Sequence, residues 1–488
     1  MISLIAFRNI IYRPWRSALL FFGYGIGVGV MIVLLSVGEA LLTQARDEKL
    51  VGGGSITVLP QGLDVEVMKT GGIGGLFFSI DQARFIYDQL LASPRLSKSI
   101  SAVAPQIEGR LVYIRTMNGT EYSARASGEI PSRTRAVRGA LALRSGSWTD
   151  DDGDRMWMQP TLAELRHGID HFHVPPPNAA NRDTWAEWHY FNVLSQDRKR
   201  WAFISFIVAG DVTSEKWGGS VTITLREEGG RSRKFESRIP LSEVQFSTTS
   251  ANLRLGASSV TVLPNGDYHL VASAHGKDGP LSLDLIVKPA ARAYFPGASL
   301  GTDEFVSGYT VPALRADATG SICVASACER YESAQSYHDH NWGVWRGVTW
   351  DWGAARAGQY TILYGRVFAP ESKRDQPLFV YLVDSLGFRA VMRPSTISYV
   401  DGRTAVANGR TIRVPSRAMF RDVRGADTLR VQLDIEDAIA TDTRQQSENL
   451  PSFGGPYFIQ MKGTATVSGR LGGSAVSGKG TGFFETYR

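Results

Sequence analysis

Trp185-Ala186-Glu187-Trp188-His189-Tyr190-Phe191-Asn192-Val193 changes side-chain character from one residue to the next. That period of two belongs to a β-strand; a helix would repeat every 3.6 residues. Working outward, Trp201 to Ala209 is apolar, and Val221 to Leu225 and Lys234 to Ile239 flank Glu228-Gly229-Gly230. Ser258 to Leu263 and Tyr268 to His275 flank Pro264-Asn265-Gly266-Asp267, and Leu281 to Lys288 follows. Short strands joined by Gly- and Asn-bearing turns predict an antiparallel sandwich or barrel. The second half repeats the manner at Gly358 to Phe368, Pro377 to Val383, Arg389 to Met392, Thr411 to Val414, Thr428 to Ile435 and Phe458 to Val467. A Gly-rich close runs from Gly469 to Glu485.

Between these halves lies Tyr337-His338-Asp339-His340-Asn341-Trp342-Gly343, continued by Gly347-Val348-Thr349-Trp350-Asp351-Trp352. Indole belongs in cores or pockets, and carboxylates belong in water unless paired, so this concentration predicts a pocket.

The 488 residues exceed what one core serves, so the chain divides into several domains. Its 51 glycines and 10% aromatic residues favour β-rich domains. The net charge of +6 comes from scattered cations without a basic run, which excludes nucleic acid as a partner. Cys323 and Cys328 are the two cysteines; they suit either a cross-hairpin disulfide in an oxidising compartment or two small buried thiols. Neither CxxC nor zinc-type histidine spacing occurs, so no metal and no cofactor is expected, and no nucleotide-binding, serine-hydrolase or zincin motif has a supporting context.

Ser17 to Gly38 is uncharged, long enough as a helix to cross a hydrocarbon core of about 30 Å. Arg8, Arg13 and Arg16 precede it, so the positive-inside rule places the bulk of the chain outside the cytoplasm, on a single-pass anchor in the cytoplasmic membrane. Gly23, Gly25, Gly27 and Gly29 suit close approach of another membrane helix, or a lone anchor that tolerates glycine.

The opening Arg8-Asn9-Ile10-Ile11-Tyr12-Arg13-Pro14-Trp15-Arg16-Ser17, with Ser55 to Pro60, a helix over Asp81 to Leu91, Val103-Ala104-Pro105 and Arg144 to Trp148, resembles the front end of MacB-type ABC-transporter permeases. The resemblance covers roughly residues 1 to 155, without the later membrane helices of such permeases. It implies an ABC-transporter ATPase and permease as partners on other chains. A second resemblance runs over roughly residues 170 to 488. Glu187 to Phe191, Tyr309-Thr310-Val311-Pro312 with Gly320, the Tyr337 to Gly343 block and the Gly-rich terminus to Glu485 resemble, in that order, the AttH/hydroxyneurosporene synthase family, which includes carotenoid 1,2-hydratase. It implies two tandem lipocalin-like antiparallel β-barrels with a cavity for a hydrophobic small molecule.

The expected fold is therefore mainly β. A membrane helix (residues 1–45) and a small α+β extracytoplasmic segment (46–165) precede barrels at 170–365 and 366–488. Hydration of an alkene needs an acid to protonate carbon and a wall that tolerates a cation. Asp339 or Asp351 could give the proton, His340 could orient water, and Trp342, Trp350 and Trp352 could form the wall. Glu187, beside Trp188, is a further candidate acid, and Tyr190, Tyr337, His338 and Asn341 join the expected ligand-binding set. The hydratase branch carries Tyr-x-Asp on the next strand; here Tyr364-Gly365-Arg366 keeps the tyrosine as a third catalytic candidate but puts Arg in place of the acid. Against these roles, Asp339 and Asn341 could simply satisfy strand-end amides while the indoles fill barrel bottoms. The function expected is binding or handling of a hydrophobic molecule beside a transporter. The alternatives are a lyase or isomerase on such a molecule and a non-catalytic transporter subunit.

Overall fold

The computed structural model of the chain describes residues 12, 14–46, 80–138, 149–177, 179–301, 306–345, 347–368, 378–442 and 457–487. They fall into two compact units. In the first, the helix Pro14–Arg46 contains an apolar stretch, Pro14–Ser36, of 23 residues and mean hydropathy 2.4, none of it buried. It is long and apolar enough to cross a membrane. The same unit holds a hairpin of Gln106–Arg115 and Glu121–Glu129, followed by the helix Pro131–Arg138. Thr134 donates to Glu129 (2.8 Å), and the Ser132 amide donates to Asp150 (2.7 Å). Residues 55–60 and 144–148, which carry part of the permease resemblance, lie outside the described residues. The helix expected over Asp81 to Leu91 forms as Ile80–Ala92 and belongs to the second unit.

The second unit is mainly β and holds both large antiparallel sheets. In the first sheet, eight strands close into a ring: Trp185–Leu194, Arg200–Gly210, Trp217–Glu227, Arg233–Pro240, Tyr268–Gly276, Gly279–Pro289, Val306–Val324 and Ala327–Val344. Eight strands leave an interior that side chains can fill. Phe191, Phe206, Phe235, Ile204, Tyr268 and Leu285 fill it, each at most 2% exposed. Arg200–Gly210 is mostly apolar between Trp201 and Ala209 because both its faces are covered there. Ala202, Ile204, Phe206 and Val208 enter the ring, while Trp201 and Phe203 pack against Ile439 and Phe483 of the second sheet.

The second sheet links nine strands in one line from Gly387–Met392 to Ser398–Val400, through Thr349–Ala357, Ser474–Tyr487 and Tyr457–Leu471. Its core lies among Tyr364, Val380, Leu382, Val431, Met461 and Phe484. The change from one sheet to the next falls between Val344 and Thr349, whereas the sequence division sets it at 365/366. Thr349–Ala357 and Tyr360–Phe368 form one hairpin whose outer partner is the chain's last strand, Trp352 opposite Glu485, so both belong to the second sheet. Cys323 and Cys328 stand opposite each other at the hairpin end of Val306–Val324 and Ala327–Val344 and form a disulfide.

Two glycines make room for indoles. A Cβ on Gly308 would lie 2.3 Å from the Trp342 ring, and one on Gly365 would lie 2.3 Å from the Trp352 ring. Gly365→Ala forces that fully packed ring to move, and overpacking of this kind costs about 1–3 kcal/mol. Urea denaturation should show that loss; an unchanged midpoint would mean that the ring has slack.

Candidate functional site

Alternation along Ala327–Val344 divides the His-Asp-His-Asn-Trp block between two places. His338, His340 and Trp342 face the interior of the ring, in register with Phe191, His189 and Glu187 of Trp185–Leu194. Tyr337, Asp339 and Asn341 face the seam between the sheets, in register with Asn192, Tyr190 and Trp188. Asp339 and His340, expected to act together, thus lie on opposite faces of one strand and cannot serve one substrate atom as a pair. Neighbours in sequence can share one pocket in a loop, but in a strand they are sent to opposite faces.

On the ring side the centre is Asp170, the last residue of the helix Leu162–Asp170. A capping box starts that helix: Thr161 accepts from the Glu164 amide and Glu164 returns the bond to the Thr161 amide. Leu165 and Ile169 pack it against Phe85, and the Arg166 guanidinium donates to the Pro312 carbonyl. The Asp170 carboxylate is fully buried. It meets His340 Nδ1 (2.9 Å) and His189 Nδ1 (3.6 Å) through Oδ1, and Tyr268 OH (2.9 Å) and His338 Nε2 (3.0 Å) through Oδ2. Burial alone would raise its pKa, but the neighbouring His189 and His338 imidazoles and the bonds from His338 and His340 hold it well below the usual range.

Glu187 lies beside this group, taking the His173 amide at 2.9 Å and His173 Nδ1 at 2.9 Å, with His340 Nε2 2.9 Å away. Burial raises its pKa, and His173 and His340 more than offset that, leaving it below the ordinary value. These surroundings favour the carboxylate over the protonated acid that proton donation would need. His340, between two carboxylates, is lowered by burial and raised further by both partners, reaching about 9. Trp342, expected in the wall with Trp350 and Trp352, instead stacks on His173 with ring centres 3.9 Å apart.

The seam side is aromatic. Tyr309 meets Trp352 edge-on at 4.9 Å, Phe295 stacks on Phe379 at 5.3 Å, and Trp345 meets both Trp188 (4.9 Å) and Trp350 (5.6 Å). Two carboxyl groups are set among these rings, and neutral donors bond both. Asp339 takes Tyr337 OH (2.6 Å) and Asn341 Nδ2 (2.7 Å), and Trp352 Nε1 donates to the same Tyr337 oxygen (2.9 Å). Glu485 takes Trp350 Nε1 (2.9 Å) and Gln460 Nε2 (3.5 Å), and Tyr190 also bonds it. Burial pushes Asp339 up to about 7 against the opposing bond from Tyr337, with the nearby Glu485 charge adding to the rise. Burial raises Glu485 too.

Asp351 and Tyr364 lie on neither of these faces. Asp351 points into the second sheet, where Arg366 (2.7 Å), Tyr399 OH (2.7 Å) and Thr486 Oγ1 (2.7 Å) occupy its oxygens. The Arg that replaces the expected acid is thus the cross-strand partner of Asp351. Tyr364 is fully buried there against Phe420 and Phe484. Asp170, His173, His189, Tyr268 and Glu485 escaped the sequence reading as site residues. The one available signal was phase: His189 lies two positions after Glu187, on the same face of a strand.

No family model matches the sequence, and no curated protein does. Among solved structures, an AttH protein from Nitrosomonas europaea is 15% identical, with TM-score 0.43, over 65% of this chain and 98% of that one. CghA in complex with Sch210972 is 16% identical, TM-score 0.41, over 65% and 96%. Kievitone hydratase from Nectria haematococca is 12% identical, TM-score 0.40, over 65% and 94%. Likenesses this distant carry nothing about the activity of this chain.

A raised carboxyl gives a pH signature of known sign. Glu485 binds its proton more tightly folded than unfolded, so its contribution to stability is complete below the ordinary 4.5 and is lost as pH rises through the folded value. Urea midpoints measured across that range should decline with rising pH, and Glu485→Gln should make the decline shallower. Parallel curves for the two proteins would show that Glu485 is not held protonated.

Proposed function

We propose that this protein is a membrane-anchored, extracytoplasmic β-protein whose aromatic seam takes a flat apolar molecule, with Asp339 as its proton donor. The observation that carries the reading is a pair of carboxyl groups buried among indole and phenol rings and bonded by neutral donors. A carboxylic acid kept neutral in apolar surroundings can protonate a carbon that water cannot. The reaction class is hydration or isomerisation. Asp339 transfers its proton to one alkene carbon, the neighbouring carbon becomes cationic beside the Trp352 and Tyr309 rings, and water adds or an adjacent proton leaves, returning a proton to the carboxylate. Tyr337, joined to both Asp339 and Trp352, orients the acid. The apolar stretch Pro14–Ser36 would hold the chain at the source of such molecules, and the Cys323–Cys328 disulfide supports an oxidising side of the membrane.

A second reading has its own support. The ring interior is filled by its own side chains, and the gap beside Tyr337, bordered by Asn192, Leu314, Ala354 and Phe483, measures about 10 Å³, room for a single water. A seam that stays shut would make the chain a scaffold. Its partner would then be a transporter helix against Gly23, Gly25, Gly27 and Gly29, in keeping with the permease resemblance of residues 1 to 155.

Mass spectrometry of lipids extracted from the full-length protein in mild detergent separates these. The binding reading expects one apolar species at about one per chain, and its absence favours the scaffold. Incubation in heavy water should place deuterium on a carbon of that species with the native protein. Asp339→Asn should retain the molecule and lose the label; labelling that survives this change would remove Asp339 from the chemistry.

A further inference from the structure

Where the helix Leu162–Asp170 ends over the ring, Asp170, His189 and His340 bring three ligand-type atoms within 4.8 Å of one another. None of the three side chains is exposed. The hydrogen-bond partners of the two imidazoles decide what the cluster needs. His189 Nε2 lies 3.0 Å from the Ala251 carbonyl, an acceptor, so Nε2 carries the ring proton. Its Nδ1 then presents a lone pair to the Asp170 carboxylate 3.6 Å away, and no donor among the described residues reaches it. A lone pair aimed at a carboxylate in a dry core is repulsive, and a cation between them removes the repulsion. His340 Nδ1 lies 2.9 Å from the same Asp170 oxygen and is the second imidazole nitrogen of the cluster; its Nε2 is 2.9 Å from a Glu187 oxygen, without the alignment of a hydrogen bond.

An imidazole whose second nitrogen is fixed by a carboxylate or a backbone carbonyl is the usual support of a metal-binding histidine. The His189 ring has the second kind of partner, the Ala251 carbonyl. We propose that Asp170 Oδ1, His189 Nδ1 and His340 Nδ1 hold a divalent transition-metal ion of the zinc type. Two imidazoles and one carboxylate suit zinc and its neighbours; calcium and magnesium require oxygen sets. On binding, the ion takes the place of the His340 Nδ1 proton, which leaves to solvent. Tyr268 and His338 fix the free Asp170 oxygen, and Phe172, with its ring centre 5.0 Å from both imidazoles, covers the group. The ion would staple the helix end to two strands of the ring, and its binding free energy would add to folding. The proposal is independent of any ligand in the seam.

The test uses untagged full-length protein in detergent, dialysed against zinc and then freed of excess by gel filtration. The expected result is about one zinc per chain by mass spectrometry of the metal, and a visible spectrum of nitrogen- and oxygen-bound cobalt after cobalt substitution. Phenanthroline should lower the melting temperature by about 5 °C or more, and zinc should restore it. His189→Gln should lose the metal, while His275→Gln, altered at an exposed position, should keep it. If His189→Gln does not fold, metal content, cobalt spectrum and chelator response of the native chain decide. Less than about a tenth of an equivalent of zinc with no chelator response overturns the proposal, and so does zinc fully retained by a folded His189→Gln.

Discussion

Consecutive side chains of a β-strand point to opposite sides, and over residues 336–344 of Ala327–Val344 both sides are covered. This constraint governs the chemistry of the second unit. It sends His338 and His340 to a carboxylate inside the ring and Asp339 to an aromatic seam outside it, across the thickness of one backbone. Charge separates the two environments as well. Inside, imidazoles surround Asp170 and hold it ionised. In the seam, Asp339 and Glu485 meet neutral donors and keep their protons to higher pH. One strand thus carries an anion site and an acid site that cannot exchange partners.

The anion site also seats the helix Leu162–Asp170 on the ring. Asp170 takes bonds from Tyr268, His338 and His340, on Tyr268–Gly276 and Ala327–Val344, so the helix that ends there is tied to two separate strands. A buried carboxylate without these partners would cost several kcal/mol. The arrangement therefore selects one seat for the helix: displacing it would leave the aspartate and the imidazoles unpaired together.

Much of the fold was legible in the sequence. Period-two alternation in Trp185 to Val193, and turns at Glu228-Gly229-Gly230 and Pro264 to Asp267, locate strands because strand and turn are local. The apolar run Trp201 to Ala209 was legible as a strand, but its two-sided burial depends on Phe483 and Ile439, which no local pattern reveals. The site was legible only as a composition. Tyr337, Asp339 and Asn341 share a seam with Trp188, Tyr190, Trp350 and Trp352. His340, His338, Glu187 and Trp342 belong to the other face, and Asp351 and Tyr364 to the interior of the second sheet. The partners that decide each environment, Asp170 and Glu485, are 169 and 146 residues from Asp339. Spacing rules for metal and catalytic motifs do not reach that far.

The ring is joined unevenly. Arg200–Gly210 and Trp217–Glu227 pair along eleven positions, whereas Arg233–Pro240 meets Tyr268–Gly276 at only two, His275 with Glu236 and Gly276 with Phe235. Under mechanical load, or in a thermal opening short of unfolding, the cylinder would part along that line first. The backbone amides there would exchange with solvent ahead of the rest. The interior would then be reached from the side of the wall.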